Sequence, residues 1–369
     1  HLFNERLFSN TSLIVSNFDY KLELVDPVQG FKWVSHLLEA SIKNDLSYFI
    51  NTNHELTFGY HITGRKFSPG KISPNAENSI FSEVELQHLY ALDHALYISE
   101  QHRVSERVTL GYGVRLSIFH NLGRSDVYLY EDPQDNTNVT RTDTVHYGAW
   151  KNIKTYINLE PRAALRYIIG EGQSVKISYN RMVQNTHLIA AGTVPVPFNT
   201  WNPSGYYLEP QLADQVAAGY FRNFNNNMYE FSAEAYYKDI KNVTDFADNA
   251  DIFFNEDLST EFRQGKAWAY GIELMVNKTQ GKLTGSVGYT LSKAMRKIPG
   301  VNLDRPFVAN YDRRHVLNVQ AAYDMSERWT FGATFTFSTG RPITLPTGKF
   351  EYQQYYPDVI TERNGYRLP

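Results

Sequence analysis

From Phe262 to Ser292 apolar and polar positions alternate one by one in two consecutive runs. In the first, Trp268, Tyr270, Ile272, Leu274 and Val276 share one parity, and Ala267, Ala269, Gly271, Glu273, Met275 and Asn277 the other. After Thr279-Gln280-Gly281-Lys282 the pattern restarts, with Leu283, Gly285, Val287, Tyr289 and Leu291 opposite Thr284, Ser286, Gly288, Thr290 and Ser292. Side chains alternate across a strand, so this stretch predicts a hairpin with one apolar face and one small or polar face. Such a ribbon fits a half-buried soluble sheet or a barrel wall with lipid outside and water inside. Length favours the wall. Soluble strands usually run about 5 or 6 residues, whereas a tilted strand crossing a bilayer needs about 9 to 11, and both runs hold their alternation for about 10.

The same period recurs along the chain. It predicts strands over 6–25, 32–50, 54–66, 85–102, 106–122, 151–169, 173–187, 208–222, 228–242, 264–278, 282–295, 312–324 and 328–340, 13 in all. Val108, Leu110, Tyr112, Val114, Leu116 and Ile118 oppose Thr109, Gly111, Gly113, Arg115 and Ser117, and Trp329 to Phe337 repeats the pattern against Thr330 to Ser338. Segment 32–50 is the least regular. Short turns at 51–53, 104–105, 170–172, 223–227, 279–281 and 324–327 alternate with longer loops at 67–84, 123–150, 188–207, 243–263 and 296–311, and a shorter one at 26–30. Segregation of loop length by end is the habit of outer-membrane barrels, with short periplasmic turns and longer extracellular loops.

Composition agrees with this reading more than it compels it. The 369 residues carry a formal charge of -3, which argues against a nucleic-acid partner. No apolar run is long enough for a transmembrane helix, and residues 1–30 hold no signal-peptide pattern. The mean hydropathy of -0.44 does not exclude a barrel, because only alternate residues meet lipid. The 26 Tyr, 22 Phe and 5 Trp suit aromatic girdles at membrane interfaces, although an aromatic-rich soluble β-protein that binds carbohydrate would share them. With no Cys there are neither disulfides nor thiolate sites.

Charges on the polar face separate two barrel designs. A small barrel fills its interior with apolar side chains and would strand Arg115, Glu160, Arg162, Arg166, Lys176, Glu230, Glu234, Lys238 and Glu273. A wide lumen, filled with water or a polar plug, accepts them as cross-strand or plug-facing partners. An odd strand count leaves an open edge, and an unpaired edge in lipid costs several kcal/mol per group, so further strands are expected.

No catalytic frame of the G-x-S-x-G, H-E-x-x-H or P-loop kind is present. His315 beside Asp312, Arg313 and Arg314 reads as part of a rim network rather than a general base. The acidic loop with Asp248, Asp251, Glu256 and Asp257 has the oxygen donors that Ca²⁺ requires, but a solvated loop explains it as well. Neither a metal nor a cofactor is expected. Trp150, Phe198, Trp201, Tyr206, Tyr207, Phe253 and Phe254 lie in or beside the long loops, where aromatic faces suit sugars, ring-bearing chelates or peptides.

Gly265-Lys266-Ala267-Trp268-Ala269-Tyr270-Gly271-Ile272-Glu273-Leu274, followed by Gly285-Ser286-Val287-Gly288-Tyr289-Thr290-Leu291-Ser292, resembles the YGxE…YTxS signature of TonB-dependent outer-membrane receptors. Leu159-Glu160-Pro161-Arg162, Tyr311-Asp312-Arg313-Arg314-His315 and Ser338-Thr339-Gly340-Arg341-Pro342 match the same barrel in the same order. The resemblance implies an all-β, up-and-down transmembrane barrel of 22 strands around a plug. Residues 1–369 would then form one partial barrel domain, with about six strands before it and about three after. It further implies import of a scarce nutrient, bound at the extracellular loops and moved with energy that the TonB complex delivers through a plug. The plug and the motif that engages TonB are absent from this sequence. Membrane lipid and lipopolysaccharide are the expected surroundings, and a surface lipoprotein partner stays open. A passive porin or secretion barrel is the alternative from another class.

Overall fold

The structure is a computed structural model that describes residues 1–368 apart from 136–137, 191–198, 249, 253–254, 350, 352–357 and 360–361. Among the described residues one antiparallel sheet dominates, built from thirteen long strands. These are β1 (Leu7–Leu24), β2 (Phe31–Asn51), β3 (His54–Pro74), β4 (Leu89–Arg103), β5 (Val108–Leu122), β6 (Asn152–Gly170) and β7 (Gln173–Gln184). The second half supplies β8 (Gln211–Phe224), β9 (Tyr229–Phe246), β10 (Phe262–Lys278), β11 (Leu283–Lys297), β12 (His315–Ser326) and β13 (Trp329–Ser338). Each pairs with the next in the chain, the up-and-down order expected from alternating turns and loops. A short segment, Leu2–Asn4, flanks β1.

Turn chemistry explains the tight end. Asn225, Asn226 and Asn227 all have positive φ, a left-handed conformation that Asn tolerates better than most side chains, so the run of asparagines makes the bend between β8 and β9. Gly172 and Gly281 supply the same conformation at two other turns.

The strand ends show where pattern and structure part. Phe67-Ser68-Pro69-Gly70 reads as a loop, yet β3 runs on to Pro74. It does so through a bulge, where the register with β2 slips between Val34 and His36. Pro69 lacks a ladder donor and fits at a bulge. The Trp33 ring occupies the space beside Gly70, 1.8 Å from where a Cβ would stand. Segment 32–50 looked irregular because Phe31, Trp33 and Leu37 lie on its polar parity near the loop end, where they pack into apolar clusters. Two loops also contain hairpins that their length concealed, Ser125–Tyr130 with Arg141–Tyr147 and Thr186–Ala190 with Asn199–Pro203.

Along the middle of the wall the apolar face stays open. Ile157, Leu159, Ile272, Phe335 and Ile177 are each half-exposed or more. A groove of about 540 Å³ on this face is lined by side chains such as Leu46, Phe58, Leu96, Ile98, Val114 and Leu116. It has the chemistry of an acyl-chain surface, not of a ligand site.

Candidate functional site: a cavity among the long loops

At the loop end four segments converge on a cavity of about 290 Å³. Tyr128 comes from the hairpin after β5, Tyr206 and Tyr207 from the segment before β8, Asn255 and Glu256 from the loop before β10, and Gln87 from the approach to β4. One basic side chain ties the first and third together. Arg141 donates through Nε to Asp257 Oδ1 at 2.5 Å and through Nη2 to Glu256 Oε2 at 3.3 Å, while its guanidinium lies 3.9 Å over the Tyr128 ring. Tyr130 donates to Asp257 at 2.9 Å, and Tyr207 to the Tyr128 carbonyl at 3.2 Å. Tyr206 and Tyr207 meet edge to face at 4.9 Å. Burial pushes the Tyr130 hydroxyl well above the usual phenol range, and the bond to Asp257 adds to it. The bonds to Asp257 and Glu256 hold Arg141 firmly charged. The result is an aromatic floor with carboxylates, amides and hydroxyls at its edge.

The loop aromatics singled out from the sequence divide. Tyr206 and Tyr207 line the cavity. Trp201 instead packs against the cluster of Phe67, Ala91 and Phe119, so it anchors a loop to the polar side of the wall. Trp150 stands apart and is exposed in a turn with positive φ, its N–H bonded to the Gly123 carbonyl. Phe198, Phe253 and Phe254 lie outside the described residues. Tyr128, Tyr130 and Arg141 were missed. Their signal was the alternation from Asp126 to Tyr130, too short to separate from loop sequence.

Trp201 belongs to the strand pair Thr186–Ala190 and Asn199–Pro203, which lies against the wall. Asn121 donates to the Ser204 carbonyl at 2.8 Å and Asn185 to Asp93 at 3.5 Å. His187 is buried against the Ser204 hydroxyl at 3.0 Å, and burial lowers its pKa to about 4. The acidic loop is neutralised by arginines. Asp257 and Glu256 face Arg141, and Asp248 faces Arg363, which also binds the buried Asp245 at 2.7 Å. At the rim Asp312, not His315, is the hub: it accepts from the Ala294 N–H and pairs with Arg314 and Arg367. His315 Nδ1 meets the Tyr289 hydroxyl at 2.8 Å.

On the polar face Arg115 and Glu160 are register partners 3.5 Å apart, with Ser117 bonded to the same carboxylate. Arg162 pairs in register with Gly113 and Asn180. Across the next strands Arg166 sits beside Lys176, Lys176 beside Gly219, Gly219 beside Glu234, and Glu234 beside Glu273. The ladder therefore sets two cations together and two carboxylates together, which isolated strands would disfavour. Lys238 neighbours Gln215 and Ala269, and Glu230 accepts from Asn277 at 3.3 Å. Further along the same face Tyr97 lies across Gly59 to reach Asp45 at 2.5 Å, and Arg65 joins Glu39 and Asp93.

Residues 4–368 match the family described as TonB dependent receptor-like, beta-barrel. The chain belongs to that family. Its members are proteins of the outer membrane, so the open apolar face is the lipid-facing wall. No curated protein sequence matches it. Solved TonB-dependent receptors share its fold at low identity. The FpvA receptor of Pseudomonas aeruginosa bound to a heterologous ferric pyoverdine aligns over 92% of this chain and 47% of its own, with TM-score 0.58 and 13% identity. The ferric-catecholate import receptor Fiu of E. coli K12 aligns over 92% and 52%, with 0.59 and 15%. The FrpB iron transporter of Neisseria meningitidis aligns over 95% and 54%, with 0.54 and 14%. The chain thus spans about half the length of these structures.

Proposed function

We propose that this TonB-dependent receptor wall belongs to a transporter that binds a ferric chelate at the loop-end cavity and imports it through a plugged lumen with energy from the TonB complex. The observation that carries the reading is the cavity where Tyr128, Tyr206 and Tyr207 present their rings beside Arg141, Glu256 and Asn255. Aromatic faces with polar edges take a flat, ring-bearing ligand well. The similar structures named above are described as iron or ferric-chelate receptors, which supports iron over cobalamin, peptide or glycan. Transport, not catalysis, is the activity proposed.

In this reading Arg115, Glu160, Arg162, Arg166, Lys176, Glu230, Glu234, Lys238 and Glu273 face the lumen. The Arg166–Lys176 and Glu234–Glu273 neighbours are tolerated there because water or an opposing plug surface supplies counter-charge. The family favours this account over a passive porin and over a soluble carbohydrate-binding protein.

Growth of a deletion strain on single iron sources, set beside cobalamin, peptide and glycan sources, tests the ligand class. A defect confined to one ferric chelate, restored by the full-length gene and weakened by Tyr206→Ala, is expected. A defect confined to a non-iron source would overturn it.

A further inference from the structure

The outward face of β3 and β4 carries an unusual group at the end with the short turns. His54 is the first residue of β3, directly after the Asn51–Asn53 turn, and His102 is its register partner on β4. Glu100, two residues before His102, projects from the same face. The two imidazoles stack with centroids 4.0 Å apart, His54 Nδ1 lies 2.6 Å from Glu100 Oε1, and one donor atom from each of the three falls within 4.8 Å of the others. Tyr112 donates to the second carboxylate oxygen at 2.8 Å. All three side chains are half-buried.

We propose that His54, Glu100 and His102 form a binding site for a divalent transition-metal ion of the Zn²⁺ type. Two imidazole nitrogens and one carboxylate oxygen are a borderline donor set that selects Zn²⁺ and its neighbours over Mg²⁺ or Ca²⁺. Metal bonds of about 2.0–2.2 Å place donor atoms roughly 3–4 Å apart, which small side-chain rotations reach from the present spacing. The ladder between β3 and β4 fixes the three Cα positions in advance. Tyr112 orients Glu100 as outer partners of metal ligands do. A hydrogen-bonded His54–Glu100 pair alone would explain only half the arrangement, since His102 is stacked behind it with its own ring nitrogens. Three ligands leave one position for water. The site lies where the strand leaves its turn, at the depth where polar groups on a lipid-facing wall cost least.

The test is a ZnCl₂ titration of the full-length receptor in detergent after EDTA treatment. One saturable Zn²⁺ site that CaCl₂ does not displace is expected. Tyr112→Phe should weaken it about 10–100-fold and the double variant His54→Gln, His102→Gln should abolish it, whereas His315→Gln leaves it unchanged. Equal Zn²⁺ affinity and stoichiometry in the parent and the double variant would overturn the proposal. A second arm needs no variant: Co²⁺ bound to the parent should give the absorption bands of a histidine-ligated, four-coordinate ion. A spectrum of hydrated Co²⁺ only would overturn it equally.

Discussion

The loop end and the middle of the wall hold together by different means. At the loop end, side chains pack as in a soluble protein: Phe67, Ala91 and Phe119 with Trp201, and Ala213, Ile240, Val243 and Ala267 with Ile298, Val301 and Phe307 from the segment after β11. Buried ion pairs reinforce it, with Arg363 between Asp245 and Asp248 and Arg296 on Asp245. In the middle, Ile157, Leu159, Ile272 and Phe335 point outward and stay at least half-exposed among the described residues. One region excludes water by itself, and the other relies on lipid to do so. The first can be broken by opening a cavity, the second only by changing what faces the bilayer.

The largest effect of this difference should come from aromatic truncation. Phe119→Ala, at a fully buried position, should destabilise the receptor by about 3–5 kcal/mol in urea unfolding from lipid, while Phe335→Ala on the outward face costs less than half as much. Arg363→Ala should follow, at about 1.5–3 kcal/mol, because the buried Asp245 then keeps only Arg296 of its two guanidinium partners. It should also detach residues near 363 from the loop cluster, read as faster hydrogen exchange there. Next comes a pH effect. His187 has its pKa lowered from 6.5 to about 4, so the unfolded hairpin binds more protons between those values. Its docking is fully favourable above pH ~6.5 and weakens as pH falls toward ~4, by up to about 3 kcal/mol. Trp201 fluorescence should report the release, and His187→Gln should flatten the profile. Smallest for stability is Arg141→Ala. Its partly exposed pairs contribute about 1 kcal/mol or less, yet ligand binding at the Tyr128 ring should fall clearly in fluorescence quenching.

The same contrast explains what could be read from the chain. Strand number and order were legible, because the period-2 pattern from Val108 to Ile118 or Trp329 to Phe337 depends only on which side each residue faces. The end of β3 was not legible, since Pro69-Gly70 has the composition of a turn and becomes a bulge only against the Trp33 ring. The cavity was half legible. Tyr206 and Tyr207 stood out in a long loop, but Arg141 finds Asp257 across 116 residues of chain, and no local signal marks such a pair. The acidic loop carried the opposite lesson, for its carboxylates looked solvated until Arg141 and Arg363 were placed beside them.

The central claim is that β10 shows one face to lipid and the other to a polar interior. These 369 residues hold no cysteine, so single cysteines at 270 to 276, placed in the full-length receptor with any cysteine outside this stretch replaced by Ser, each carry one spin label after reconstitution in bilayers. Collision with oxygen, which concentrates in lipid, and with a water-soluble nickel chelate is then measured position by position. Labels at 270, 272, 274 and 276 should favour oxygen and those at 271, 273 and 275 the chelate, in strict alternation. A smooth profile without a period of two would contradict the account.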